Sequence, residues 1–220
     1  MRKYLLLITA VSSSSIVKAQ VQVRNEPRHH NVFENEYVRI LDVYLAPGDT
    51  TLYHIHNTPS VFIVLTNTNV GSQLIGKQPQ KGANITGEVS YDSLNTPRIH
   101  RVWNEDTSWF HVMDVELTNT NPKKDIAVLQ NPSLKLLFNE RQVNGYNIEL
   151  NAASNLQLPP SASGYLFVSK TASSIEFEIN NAVQNRVMRP AHYIWIEAGK
   201  SLSIKSSSNQ PVNFVLLQFK

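Results

Sequence analysis

The 220-residue chain contains no cysteine. That excludes a disulfide framework, a lipid-modified cysteine and any thiolate metal site, so stability must come from ordinary core burial. Long apolar runs are missing too. The stretch Tyr4 to Val11 falls well short of the roughly 20 residues a membrane span needs. No long segment carries apolar residues at the three-and-four spacing of an amphipathic helix, which argues against long helices. There is no Gly-rich phosphate loop, no serine nucleophile elbow and no pair of carboxylates in a recognisable catalytic frame.

Excess charge of one sign is absent as well, once the first residues are set aside. Arg2 and Lys3 precede the apolar run, and Val17-Lys18-Ala19 is a small-residue cleavage signal. This order reads as a secretory signal peptide over residues 1–19, with an exported product, periplasmic or secreted, beginning at Gln20. The whole chain has 20 Lys+Arg against 17 Asp+Glu. Residues 1–19 hold three bases (Arg2, Lys3, Lys18) and no acid, so the remainder is formally neutral. The basic balance belongs to the leader and gives no support for a nucleic-acid partner, and no membrane span is expected after cleavage.

What is present is strand character. Tyr37 to Leu45 is rich in β-branched and aromatic residues and ends at the turn signal Ala46-Pro47-Gly48-Asp49. Comparable runs follow at Thr51–His56, Val61–Leu65, Ile85–Tyr91, Ile99–Trp103 and Ser108–Leu117. Many short strands at this spacing predict an all-β sandwich or barrel. The chain also repeats itself. Phe33, Val38, Leu45 and Phe62 match Phe138, Val143, Leu150 and Phe167 at an offset of 105 residues. Tyr91 and Val102 match Tyr193 and Ile204 at an offset of 102. A three-residue deletion in the second copy would reconcile the two, and a duplication follows. The polar segment Thr118 to Lys124 marks the boundary, giving units at 20–118 and 119–220.

His54-Ile55-His56 follows the Pro47-Gly48-Asp49 turn in strand context. Side chains two apart on a strand share a face, so both imidazoles can reach one ion. His100, ahead of the strand-like run Arg101 to Asn104, is the natural third donor. His111 is a candidate general base, Arg98 and Asn104 are candidate orienting groups, and Glu88 or Asp114 is a candidate carboxylate reaching in from elsewhere. His29-His30 reads as part of an unpatterned, solvated arm, and His192 as an ordinary structural histidine.

Gly48, His54 and His56, followed later by Pro97, His100 and Asn104, resemble the two motifs of the cupin superfamily. The resemblance covers Phe33 to Leu117 directly and, through the repeat, extends to Phe219. It implies two tandem antiparallel jelly-roll-like barrels, a bicupin arrangement. It also implies a divalent metal (Fe, Zn, Ni, Cu or Mn) inside the first barrel on His54, His56 and His100. The family's pattern usually adds a glutamate four or five residues after the second histidine. Here those positions are Ser60 and Val61. In the second copy His54, His56 and His100 meet Pro159, Ser161 and Leu202, so that unit is expected to bind no metal.

Two functions are consistent with these residues. One is a metal-dependent enzyme, a dioxygenase-like oxidoreductase or an isomerase, acting on a small oxygenated or anionic molecule. Its pocket is expected to be lined by residues such as Leu52, Phe62 and Val102. The other is a non-catalytic small-molecule binding or sensing protein. A homodimer is compatible with either.

Overall fold

A computed structural model describes residues 20–123 and 126–220. The leader reading concerns residues 1–19, which lie outside the described residues. In chain order the strands are β1 (Val21–Gln22), β2 (His29–Glu34), β3 (Val38–Leu45), β4 (His54–His56), β5 (Ser60–Val64), β6 (Thr68–Leu74) and β7 (Gln80–Asn84). Next come β8 (Val89–Asp92), β9 (Arg98–Asn104), β10 (Phe110–Leu117), β11 (Leu134–Asn139), β12 (Val143–Leu150) and β13 (Asn155–Leu158). The chain closes with β14 (Tyr165–Ser169), β15 (Ser173–Ile179), β16 (Ala182–Met188), β17 (Tyr193–Ile196), β18 (Leu202–Ser206) and β19 (Val212–Phe219). Among the described residues there is no α-helix, only a 3-10 turn at Val23–Asn25.

The strands form four sheets. Two lie before residue 118, in the orders β1-β4-β9-β6-β7 and β2-β3-β10-β5-β8. Two lie after it, in the orders β11-β12-β19-β14-β17 and β13-β18-β15-β16. Each pair is a jelly-roll-like sandwich, so the all-β, two-barrel expectation holds. β2, β6 and β7 escaped the sequence reading. Their segments, such as Gln80-Lys81-Gly82-Ala83-Asn84, lack apolar alternation and become strands by pairing with a neighbour rather than by propensity.

The repeat is legible in the registers. Val112 sits between Val43 and Val64, and Phe214 sits between Ile148 and Ser169. Even the register irregularity recurs, between Asn31 and Phe33 in one lobe and between Leu136 and Phe138 in the other. Two details of the sequence alignment are corrected. Val61 pairs with Tyr91 while Leu166 pairs with Trp195, so Trp195 and not Tyr193 is the counterpart of Tyr91. His54 faces His100 while Leu158 faces Leu202, so Leu158 and not Pro159 takes the His54 position. The deletion is split between two connections rather than gathered in one.

Three apolar clusters hold the molecule together. One fills the second sandwich, around Tyr146, Tyr165, Phe167, Phe177 and Phe214. A second lies between the lobes, where Ile40, Ile63, Met113 and Val115 pack against Leu166, Val168, Val215 and Phe219. The third, inside the first sandwich, is small: Val23, Leu41, Val43, Leu45, Phe110 and Val112. The first sandwich is therefore closed on one face by the second lobe and left hollow within.

Candidate metal and ligand site

The hollow is a cavity of about 810 Å³. Its walls are mainly apolar, including Val43, Phe62, Val64, Val102 and Val112, and its polar lining includes His29, His54, His56, Arg98, His100 and Asp114, with Glu88 and Asp92 as further acids. The alternation of β10 explains which residues enter: Phe110, Val112 and Asp114 line the cavity, while Met113 and Val115 on the opposite face belong to the interlobe core. Leu52 does not line it; the side chain is 44% exposed on the outside.

β4 and β9 bring three of the histidines together. His54 stands directly across the ladder from His100, and His56 across from Arg98. The ring centroids are 4.7 Å apart for His54 and His100, 4.9 Å for His56 and His100, and 4.9 Å for His54 and His56. His54 Nδ1 donates to the Leu52 carbonyl at 2.9 Å, which leaves its Nε2 lone pair free. That Nε2 lies 3.1 Å from His56 Nε2. His56 Nδ1 and His100 Nε2 are buried without a hydrogen-bond partner.

A fourth histidine was missed by sequence reasoning. His29, assigned there to a solvated arm, is a buried residue at the start of β2. Its donor atom and those of His54 and His56 lie within 4.8 Å of one another. His30, next to it, is exposed. The polar run Arg28 to Asn31 carries no apolar alternation, so nothing in the sequence marked His29 as buried.

Burial, together with neighbouring histidines and Arg98, sets the electrostatics. It pushes the imidazolium of His54 down to about 4 and lowers His56 and His100 further, so all three are neutral near pH 7. Asp114 is wholly buried, and that burial, reinforced by Glu116, pushes its carboxyl up to about 8. Its Oδ2 is 3.5 Å from His56 Nδ1, a contact too long to count as a hydrogen bond. Glu88 lines the outer part of the cavity and is exposed. Burial alone would raise Glu26, yet hydrogen bonds from His29 and from the Leu52 and Arg28 backbone N–H groups hold it below its usual value.

The remaining candidates divide. Arg98 lines the cavity, pairs with Asp92 and lies over the Phe62 ring at 5.5 Å. Its Nε is buried and unpartnered. His111 is on the far side of β10, where its Nε2 meets Asp42 Oδ1 at 2.7 Å and its ring stacks on Tyr44. It is not among the cavity residues, so a general base there would face the wrong side of the sheet. Asn104 is buried and consumed by the backbone: its Nδ2 donates to the Leu45 and Ser108 carbonyls, and its Oδ1 accepts from the Asp106 N–H. Its role is to pin the β9–β10 turn. His192 is exposed.

No family model matches the chain, and no curated protein matches it in sequence. Solved structures do. AerE from Microcystis aeruginosa superposes with a TM-score of 0.61 at 11% identity, covering 89% of this chain and 98% of that one. A cupin 2 conserved barrel domain protein from Leptotrichia buccalis gives 0.57 at 9%, covering 87% and 88%. The chain shares the fold of this cupin 2 barrel domain protein. A further neighbour is a salicylate 1,2-dioxygenase from Pseudaminobacter salicylatoxidans, at 0.59 and 10% identity, covering 83% of this chain and 71% of that one.

The cupin frame was tested against the side chains actually present. A metal centre needs unprotonated donors that converge, with no competing partner for their lone pairs. His54 and His56 are neutral and buried, each with a donor atom within 4.8 Å of one on His29, and half-buried His100 stands beside them with its Nε2 unpartnered. The donor set fits a divalent ion.

Proposed function

We propose that the first barrel binds a divalent metal through His54, His56 and His100, and acts on a small anionic or oxygenated molecule admitted to the cavity. The observation that carries this reading is a group of neutral imidazoles, two of them buried, with unspent buried nitrogen atoms in a largely apolar cavity. When bound, the metal supplies a Lewis acid and a place where an anionic oxygen is held. An all-nitrogen donor set suits Fe, Zn, Ni, Cu or, less well, Mn.

The chain's own residues do the rest. Val43, Phe62, Val64 and Val112 exclude water from the reacting end of the cavity. Arg98, with one nitrogen unpartnered, is placed to orient an anionic group. Asp114, protonated near neutral pH, adds no negative charge beside His56. A carboxylate-bearing substrate is in keeping with these features, and one neighbour, the salicylate dioxygenase, has been solved with gentisate. The leader-like order of residues 1–19 supports a site of action outside the cytoplasm.

Elemental analysis of the purified protein tests it. About one equivalent of metal is expected, abolished in the His54→Ala/His56→Ala/His100→Ala variant. Equal metal content in the triple variant would overturn the proposal. One feature favours a non-catalytic binding protein: the family's glutamate position is occupied by Ser60, whose hydroxyl is spent on the Thr58 carbonyl. Ligand binding by the metal-loaded protein without turnover of any bound carboxylate would select that reading.

A further inference from the structure

The segment before β3 contains the clearest departure from the symmetry of the two lobes. β1 adds to β4 in parallel, Val21 opposite His54 and Gln22 opposite Ile55, and the equivalent sheet of the second lobe has no such strand. The chain then makes a 3-10 turn, with Val23 buried in the small core. This delivers Glu26, a carboxylate only 1% exposed, to the edge of the histidine group.

Both Glu26 oxygens are used. Oε2 accepts from the Arg28 N–H at 2.6 Å and from His29 Nδ1 at 2.8 Å, and Oε1 accepts from the Leu52 N–H at 3.1 Å. Arg28 in turn grips Asp49 through two hydrogen bonds of 3.0 and 2.8 Å, tying the segment to the turn before β4. An ionised carboxylate only accepts, so His29 carries a proton on Nδ1, which leaves Nε2 as the nitrogen that can ligate. The His29 ring lies 4.7 Å from that of His54. A carboxylate that fixes the tautomer of a buried histidine, while its other nitrogen faces further imidazoles, is the arrangement that orients metal-ligating histidines.

We propose that His29 is an additional ligand of the metal, that Glu26 is its positioning residue, and that the pair takes the place of the glutamate missing at Ser60 and Val61. The inference rests on the three-histidine metal reading and extends it. Four imidazole donors, with the carboxylate of Glu26 one residue removed from the ion, select nitrogen-preferring ions over magnesium or calcium. The arm is then part of the metal centre, not a tether.

Zinc affinity by chelator competition, and the absorption spectrum of the cobalt(II)-substituted protein, test this on the chain from Gln20. His54→Ala should lose binding. His29→Ala should bind zinc about 10- to 100-fold more weakly and shift the cobalt spectrum, and Glu26→Gln should weaken binding about 10-fold. Glu26→Gln keeps one accepting oxygen but turns an amide N–H toward a backbone donor, so its metal-free melting temperature is expected to fall by a few degrees and is measured alongside. A loss of zinc affinity beyond that which Glu26→Gln causes in the His29→Ala/Glu26→Gln pair separates ligand positioning from folding. Added imidazole should restore the parent cobalt spectrum in His29→Gly. If His29→Ala matches the parent in affinity and spectrum while His54→Ala does not bind, the arm histidine is not a ligand and the three-histidine site stands without it. If the parent binds neither zinc nor cobalt, the metal reading and this inference fall together.

Discussion

The two lobes share one strand framework and differ in what fills it. In the first, Ser72 and Val112 face the cavity beside Val102 and Val43. At the same register positions the second lobe has Phe177 and Phe214, which with Phe167 form an aromatic cluster with centroid separations of 5.3 and 4.3 Å. His100 is replaced by Leu202, His54 by Leu158 and Asp114 by Leu216. The same barrel is thus a binding site when its inward positions are small or polar, and a solid core when they are large and apolar. Buried side chains of Leu or Phe stabilise by roughly 1.5–3 kcal/mol each, so the second lobe supplies the packing that the hollow lobe forgoes.

The largest expected effect comes from reversing that exchange. Phe177→Ala should cost about 3–5 kcal/mol in denaturant unfolding, whereas Ser72→Ala should stay within about 0.5 kcal/mol. Ser72→Phe should abolish ligand binding without loss of stability. Equal costs for Phe177→Ala and Ser72→Ala would break the contrast between a filled and a hollow barrel.

Next in size is the pH dependence of the metal-free protein. Histidines lowered in the folded state bind protons more readily when unfolded, so their contribution is present above about 6.5 and is lost as pH falls. The raised carboxyl of Asp114 has the opposite slope and loses stability as pH rises from about 3.8 through about 8. Below 6.5 three imidazoles outweigh one carboxyl; above it the carboxyl acts alone. Stability should peak between about pH 6.5 and 7 and fall by about 3 kcal/mol by about pH 5. Urea midpoints across pH 5–8 measure this, and a flat acid limb would count against neutral buried histidines. The His54→Leu/His100→Leu variant, which copies the second lobe, should flatten it.

Metal removal should follow. At a free-metal concentration 100-fold above Kd, chelation should remove about 2.7 kcal/mol, seen as a lower melting temperature, and His54→Ala should be indifferent to chelator. The smallest effect is Asp114→Leu, again the second lobe's residue. It should stabilise the metal-free protein at pH 8 by about 1–3 kcal/mol, because a buried carboxyl without hydrogen bonds is removed. No gain would mean that Asp114 is satisfied in solution.

Much of this was legible from residue order. The two-residue spacing of His54 and His56 placed them on one face because strand side chains alternate. The same parity separates His111 from Asp114 on β10, an inference available from the sequence once the strand is assigned. The polar hairpin β6–β7 was not legible, since its strands exist by pairing. Nor was Asn104 as a turn pin, because an asparagine's hydrogen-bond partners depend on which carbonyls the fold brings near. His29 was hidden for a different reason: the arm is polar, and only docking of β1 beside β4 buries it.

By itself the sequence determined an all-β chain, its duplication, and which copy keeps the histidines, because periodicity and composition act locally along the chain. The tertiary structure alone decided that one barrel stays hollow, that Glu26 and His29 reach its interior, and that His111 does not. Those outcomes depend on register and on which faces meet, and both are settled only when strands distant in sequence pair.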